Sequence, residues 1–367
     1  METHPLTLDD TLWQHAAPPP GYAGHAADEC YFQTSGSEGQ PKWVVHTRDT
    51  LRISARAVNA HLQVTAADHW LLTLPLHHVG GFSILVRAQE SGSRVTQLTG
   101  KWDAHHLAAQ KHITHTSLVP AQVYDLVAAQ LPAPPALRAV LVGGGALSPD
   151  IEAAARRLGW PVLKTYGMTE TASQVATQTL SGTEMAILPI WQLHTDSDSI
   201  LTLRGPALAK GYLIEKSPHW HFQPISAENG LCTRDRVTLT PDGFLHFLSR
   251  EAGTIKILGE LVSLATIQAQ IDSLRLHEHL HSSDAAVCDL PDPRRESRLV
   301  LAVSHMPPSA AAQLLTQLNQ QLRPFEQITT APQHLPAIPR SHLGKIRLEA
   351  LRHALTHLSV SSPSPSP

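Results

Sequence analysis

Short apolar runs alternate with amphipathic stretches through the first two thirds of the chain. His69-Trp70-Leu71-Leu72-Thr73-Leu74, Ala139-Val140-Leu141-Val142 and Pro161-Val162-Leu163-Lys164 have strand length and composition. Ala121–Gln130 and Pro149–Leu158 carry helical spacing between them, the second opened by Ser148 as N-cap. Strands alternating with helices predict an α/β fold, sheets covered by helices. From Ser199 the texture changes to short strands and turns. Ile200–Leu203 and Arg236–Thr240 read as strands, and Pro241-Asp242-Gly243 as a hairpin turn into Phe244–Phe247.

A second unit is expected from about residue 252, with strands at Ala285–Cys288 and Leu299–Val303 and a helix over Ala310–Leu322. The expected division is therefore a large domain over 1–251, a small mobile α+β domain over 252–358, and a disordered Ser/Pro tail over 359–367.

Charge narrows the function classes. With 28 Lys+Arg against 31 Asp+Glu, the net charge of −3 excludes a broadly basic nucleic-acid binder. A 42 % hydrophobic and 16 % charged composition fits a globular chain rather than a disordered one. Cys30, Cys232 and Cys288 are far apart and form no C-x-x-C pair, so neither a disulfide framework nor a zinc site is expected. The start of the chain lacks a charged-then-apolar leader, and no apolar stretch is long enough to span a bilayer; a cytoplasmic protein is expected. The 24 histidines raise the question of metal, with His277-Glu278-His279-Leu280-His281 as the densest group. A solvated connection between helix and strand explains that group more simply.

Chemistry concentrates in Thr34-Ser35-Gly36-Ser37-Glu38-Gly39-Gln40-Pro41-Lys42, which follows the strand-like Cys30–Gln33. Hydroxyls, bare glycines and a terminal lysine can wrap phosphates through backbone N–H groups and one mobile cation. The order differs from the common NTPase loop, because Pro41 precedes Lys42 and no Ser or Thr follows it.

Together with six later segments, this loop resembles the acyl-adenylate-forming superfamily, and within it the o-succinylbenzoate–CoA ligases of menaquinone biosynthesis. Thr34–Lys42 resembles the family's phosphate loop, and Leu74-Pro75-Leu76-His77-His78-Val79-Gly80-Gly81 its acyl-pocket segment. Gly143-Gly144-Gly145-Ala146 is similar to its adenine-contacting strand end, and Tyr166-Gly167-Met168-Thr169-Glu170 to its adenylate and magnesium motif. Thr233-Arg234-Asp235-Arg236 resembles the ribose segment, Ser249-Arg250 the entry to a hinge, and Arg340–Arg347 the loop of a catalytic lysine. The motifs keep the family's order from residue 34 to residue 347.

The resemblance implies an ATP-dependent acid–CoA ligase, AMP-forming, with ATP, Mg2+ and coenzyme A as cofactor and co-substrates. A carboxylate attacks the α-phosphate of ATP, and the thiol of coenzyme A then displaces AMP. An anion attacking an anion needs cations and N–H donors around it. Lys345 is the candidate adenylation cation, with Gly344 beside it. Glu170 is the candidate magnesium ligand, since that hard ion takes carboxylate and phosphate oxygens. Thr169 is assigned to the α-phosphate and Asp235 to the ribose hydroxyls. Thr34, Ser35, Gly36, Ser37, Gly39, Lys42, Gly144, Gly145, Ala146, Tyr166, Gly167, Met168 and Arg250 complete the expected nucleotide contacts, with Lys256 a further phosphate or coenzyme A contact.

For the acid, His78 is expected to gate or line the pocket, and Ser117 lies in a stretch similar to that of o-succinylbenzoate ligases. Arg87 puts a cation near the end of an otherwise apolar helix, where it can bind a second carboxylate bidentately or merely snorkel to the surface.

Four departures from the family's pattern stand out, of which Glu38, Ala252 and the early loop weigh against full activity. Glu38 places an anion in the phosphate loop, Arg234 replaces the more general glycine before Asp235, Ala252 occupies the hinge position usually held by Asp, and the loop begins early, as in a relative shortened at its N-terminus. Adenylation of another aromatic or short acyl acid, loading of a carrier protein, and a catalytically weakened nucleotide-binding relative remain open. The expected partners are small molecules, with no nucleic acid and no membrane span, and a homodimer is the candidate assembly.

Overall fold

The computed structural model describes residues 3–6, 8–34, 42–216, 219–250, 254–257, 260–292, 294–341 and 344–360. Ser35, Gly36, Ser37, Glu38 and Gly39 of the glycine-rich loop, Ala252 and tail residues 361–367 lie outside the described residues, as do the side chains of Arg250 and Lys256. The chain divides into two compact units: Met1–Gly144 with Ala154–Leu248, and Gly145–Ala153 with Ser249–Pro367.

In the first unit a twelve-stranded sheet carries a parallel run in the order Arg94–Leu98, His69–Leu72, His115–Leu118, Ala139–Val142, Val162–Met168. Ala139–Val142 is buried at every position, which is why it reads as continuous apolar sequence rather than an alternation. Beyond Val162–Met168 the sense reverses. Ser173–Gln178 runs antiparallel to it, with a register shift between Tyr166 and Gly167. The sheet then continues through Met185–Ile187, Phe244–Arg250, Leu231–Leu239, Ile200–Arg204 and Gln192–Thr195.

The helix Val79–Ser91 covers the parallel strands and Arg48–Leu62 packs on that helix and on Ser173–Gln178, burying Phe82, Ile84 and Val86 from the first and Leu51, Val58 and Leu62 from the second. Thr47 and Thr50 exchange two side-chain-to-backbone bonds of 3.1 Å each, a capping box that starts the helix Arg48–Leu62 directly after a strand. A separate four-stranded antiparallel sheet has the order His219–Pro224, Gly211–Lys216, Lys42–Thr47, Glu29–Thr34. The glycine-rich loop is the connection between its last two strands, where Thr34 pairs with Lys42.

Two strands are longer than the pattern predicted. Leu231–Leu239 begins five residues before Arg236, and its inward positions Thr233 and Asp235 are polar, so no apolar alternation marks them. Val162–Met168 runs through Tyr166-Gly167-Met168, held by pairing to Ser173–Gln178 that the local sequence does not announce.

In the second unit Asp284–Asp292 and Glu296–Ser304 form an antiparallel pair, and Gln333–His334 adds in parallel to the second of them. Val287 and Leu301 face one core with the helices Leu264–His277 and Pro308–Gln321, while Cys288 and Val300 face another with Leu351 and Leu355. Period-two alternation thus serves two cores at once. The last helix, Leu348–Val360, takes in residues 359 and 360 of the expected tail, since no Gly or Pro interrupts the chain before Pro363. The three cysteines are free thiols, and no described helix is long and apolar enough to cross a membrane.

Candidate active site

The parallel strands end at a bare stretch of backbone. Gly143 donates its N–H to the Leu118 carbonyl at 3.2 Å, and a Cβ on it would sit 2.7 Å from Thr165 Oγ1. Gly144 follows at φ 78°, a conformation glycine adopts without penalty, and Gly144, Gly145 and Ala146 are exposed. Ligands of open α/β sheets bind outside such carboxyl ends.

One strand over, Tyr166 is buried and its hydroxyl donates to Asp235 Oδ2 at 2.7 Å. Asp235 is itself 2 % exposed, and its N–H donates to Thr233 Oγ1 at 3.1 Å. At Gly167 a Cβ would fall 1.7 Å from the Ser173 carbonyl oxygen, so only glycine fits where the strand folds back.

The fold-back is a 3-10 turn over Thr169–Thr171, followed by Ala172 at φ 52° and Ser173 at φ 103°, both non-glycine residues in the left-handed region. Neighbouring elements hold this strained turn. His46 Nε2 lies 2.7 Å from the Thr169 carbonyl oxygen, Ala209 N–H donates to the Glu170 carbonyl at 2.9 Å, and Ser54 Oγ donates to the Ala172 carbonyl at 2.9 Å. Arg87 Nη2 donates to Ser173 Oγ at 3.1 Å.

Glu170 projects its carboxylate toward Tyr212, whose hydroxyl donates to Oε1 at 3.0 Å. Burial, and then the Glu170 charge, push the Tyr212 phenol well above its ordinary range, so it remains a donor. Lys42 Nζ stands 3.7 Å from the centroid of the same ring. The lysine that closes the glycine-rich loop and the carboxylate of the turn therefore meet across one tyrosine. Glu170 supplies hard carboxylate oxygen, and no group of three or more His, Cys, Asp or Glu side chains suited to a metal occurs among the described residues. A cation at Glu170 would draw its other ligands from phosphate and water, the habit of Mg2+.

The residues expected on the acid side lie on neighbouring elements. His78 is the N-cap residue of the helix Val79–Ser91, half-buried, with its ring centroid 4.3 Å from that of His77. Gly81 in the next turn has no room for a Cβ, which would approach the Pro75 carbonyl oxygen to 2.3 Å. Arg87 does not snorkel: it is 1 % exposed, and burial pushes its pKa down to about 9, which leaves it charged at neutral pH. Its guanidinium carbon is 5.7 Å from the Trp70 ring centroid, Nε has no partner, and it forms no ion pair with a carboxylate among the described residues. Ser117 is buried on His115–Leu118, and its carbonyl accepts from Thr73 Oγ1 at 2.7 Å. Beside it, burial outweighs the Asp68 charge 3.7 Å away and holds the His115 pKa at about 4.

Lys345 belongs to the second unit and is exposed on a tight turn. Ser341 N–H donates to the Lys345 carbonyl at 2.8 Å, Gly344 takes φ 73°, and Arg340 Nη1 donates to the Gly344 carbonyl at 2.6 Å. Arg340 is fixed in turn by two bonds of 2.8 Å to the two oxygens of Asp284. Burial opposes the charged form of Asp284, but the Arg340 bonds and charge, with that of Arg275, outweigh it and hold the carboxyl below its usual range.

The structure thus joins Tyr166 to Asp235 across the large sheet, brings Glu170 and Lys42 to the two sides of Tyr212, pairs Thr34 with Lys42 in the small sheet, and links Arg87 to the Thr169–Thr171 turn through Ser173. Sequence reasoning missed His46, Ser54, Ser173 and Tyr212. The partners of His46 and Tyr212 are 123 and 42 residues away, so no local pattern flags them.

The family profile described as AMP-binding enzyme matches residues 6–213, more than half of the chain. The chain belongs to that family. Among curated members, 2-succinylbenzoate–CoA ligase of Bacillus cereus is 34 % identical over 281 residues, covering 71 % of this chain and 56 % of the ligase. The chain thus spans about half the length of the curated relatives it matches. Two solved structures are similar in fold, each 25 % identical with a TM-score of 0.70. MenE of E. coli with bound OSB-AMS covers 92 % of this chain and 72 % of its own. The o-succinylbenzoate CoA synthetase of Bacillus subtilis, in complex with ATP and magnesium ion, covers 88 % and 69 %.

Proposed function

We propose that this AMP-binding chain is an ATP-dependent acid–CoA ligase whose acid is o-succinylbenzoate. The observation that carries the reading is Arg87, a fully buried guanidinium charged at neutral pH and without a carboxylate partner among the described residues. An acid with two carboxylates can present one to Arg87 and the other to ATP. The similarity to 2-succinylbenzoate–CoA ligases, and to structures holding OSB-AMS or ATP with magnesium, supports the same assignment.

In this reading Asp235, oriented by Tyr166, accepts the ribose hydroxyls, and the bare backbone at Gly144, Gly145 and Ala146 lies along adenine. Glu170 holds Mg2+, which neutralises phosphate charge, while Thr169 donates its hydroxyl to the α-phosphate. The acid carboxylate oxygen forms a bond to the α-phosphorus as the bond to the bridging oxygen breaks, and pyrophosphate leaves with that electron pair. Lys345 offsets the charge that builds on the phosphoryl oxygens. In the second half-reaction the coenzyme A sulfur gives up its proton to solvent and attacks the acyl carbon, and the carbon–oxygen bond to AMP breaks. In the same reading His78 gates or lines the acid pocket, and Ser117 contributes to it. The second unit acts as a mobile carrier of Lys345 about a hinge near Ala252, in a cytoplasmic homodimer.

Pyrophosphate release with o-succinylbenzoate, ATP and coenzyme A tests this. Turnover with that acid at least about tenfold above benzoate is expected, the scale of one well-made charged contact. ATP binding without release of pyrophosphate from any aromatic acid would overturn it.

A further inference from the structure

We propose that His46 is a positioning residue for the nucleotide-activating site: its ring holds the Thr169–Glu170 turn in register for the phosphates and their cation. The assignment rests on the nucleotide reading above and concerns a residue outside every motif described for it.

His46 is wholly buried on the strand Lys42–Thr47, which leaves the glycine-rich loop. Nε2 is 2.7 Å from the Thr169 carbonyl oxygen. A carbonyl can only accept, so Nε2 carries the proton. Nδ1 lies 3.0 Å from Thr50 Oγ1, whose hydroxyl also faces the Thr47 carbonyl at 2.8 Å, and burial favours the neutral ring. The ring also packs against Phe32 in an edge contact, 6.2 Å between centroids. One side chain thus ties the strand after the phosphate loop to the residue that precedes Glu170.

The neighbouring carbonyls of the turn, those of Glu170 and Ala172, are held by Ala209 N–H and Ser54 Oγ. Backbone strain at Ala172 and Ser173 gives the turn reason to relax when a tether is lost. Without a donor at position 46, the Thr169 carbonyl keeps only the Ala172 N–H at 3.2 Å, a bond inside the turn itself; the turn loses its tie to the strand Lys42–Thr47 and can rotate, carrying the Glu170 carboxylate away from Tyr212. Preorganised groups of this kind work by being in place before charge develops.

The test compares His46→Gln, whose amide nitrogen reaches the position of Nε2, with His46→Leu, which fills the space without a donor. The full chain is titrated with ATP, with and without Mg2+, by calorimetry, and adenylation is followed by pyrophosphate release. His46→Leu should lose about tenfold in Mg2+-dependent ATP affinity, the size of one unmade buried hydrogen bond. Metal-free ATP affinity and KM for the acid should stay near parental values, and kcat should fall. His46→Gln should recover most of both losses. Equal losses in the two variants, or a His46→Leu protein with parental Mg2+ dependence, would overturn the assignment. If His46→Leu does not fold, the gap between His46→Gln and His46→Asn, whose nitrogen stops at the Nδ1 position, decides the question. A chain that binds MgATP yet adenylates no acid would sink the ligase reading while leaving the binding arm to judge His46.

Discussion

Tyr166 and Asp235 meet through a 2.7 Å hydrogen bond between two strands of one sheet, although 69 residues separate them in sequence. The phenol fixes the plane of the carboxylate that is proposed to receive the ribose. Tyr166→Phe keeps the ring near Phe247 and removes only the donor. AMP affinity should fall about fivefold or more, and stability by about 1 kcal/mol, the usual worth of a buried hydrogen bond. Calorimetric titration with AMP measures the first; an unaltered affinity would mean that the carboxylate needs no orientation.

Arg87 is bonded to the turn and is proposed to bind the acid, and two variants separate these roles. Arg87→Ala should raise KM for o-succinylbenzoate about tenfold or more while sparing a monocarboxylate analogue. Ser173→Ala removes only the 3.1 Å bond from Arg87 to the turn and should affect both acids alike. Arg87→Ala acting equally on both acids would remove the second carboxylate from the account.

Lys345 is exposed, and its turn is closed by the Ser341 N–H bond to the Lys345 carbonyl and by Arg340 on the Gly344 carbonyl. Lys345→Ala should therefore leave the melting temperature within about 2 °C of the parent, as for an ordinary surface change. Adenylation should nevertheless fall by about two orders of magnitude or more, as expected when a transition-state cation is lost. Pyrophosphate release reads one and differential scanning fluorimetry the other; parental adenylation would take Lys345 out of the mechanism.

Acid should destabilise the fold through buried imidazoles. Burial holds His46 and His115 at about 4, against about 6.5 for an exposed ring. Between these values the unfolded chain binds more protons than the folded one, so stability rises with pH across that window. The contribution is complete above about pH 6.5 and is lost as pH falls to 4, by up to about 3 kcal/mol per ring. Urea midpoints at pH 7 and pH 5 should diverge in the parent and less so in His46→Gln. Identical divergence would show that His46 is already protonated in the folded chain.

What could be read from the chain beforehand follows a physical line. Ala139–Val142 and its neighbours were legible because strands covered on both faces must be continuously apolar. Ser148 was legible as a cap because its hydroxyl accepts from a backbone N–H, that of Ile151, at 3.2 Å. The motif residues Tyr166 to Glu170 were legible by resemblance, yet their support was not. His46, Ser54 and Tyr212 serve the turn from distant elements, and a histidine, a serine and a tyrosine in those places look like ordinary strand and helix residues. Arg87 shows the same limit, since its helical position could not distinguish a snorkelling cation from one sealed beside Trp70.

The reversal of the sheet at Val162–Met168 bears on how such a protein can be altered. In most parallel sheets the strand runs into a loop of variable length, and new specificities enter by lengthening it. Here the chain returns at once as Ser173–Gln178, with Gly167 pressed against the Ser173 carbonyl and the register already shifted by a bulge. An added or deleted residue between Met168 and Ser173 would turn the inward side chains of one strand outward. The turn is therefore closed to loop grafting, and any redesign has to leave its length untouched.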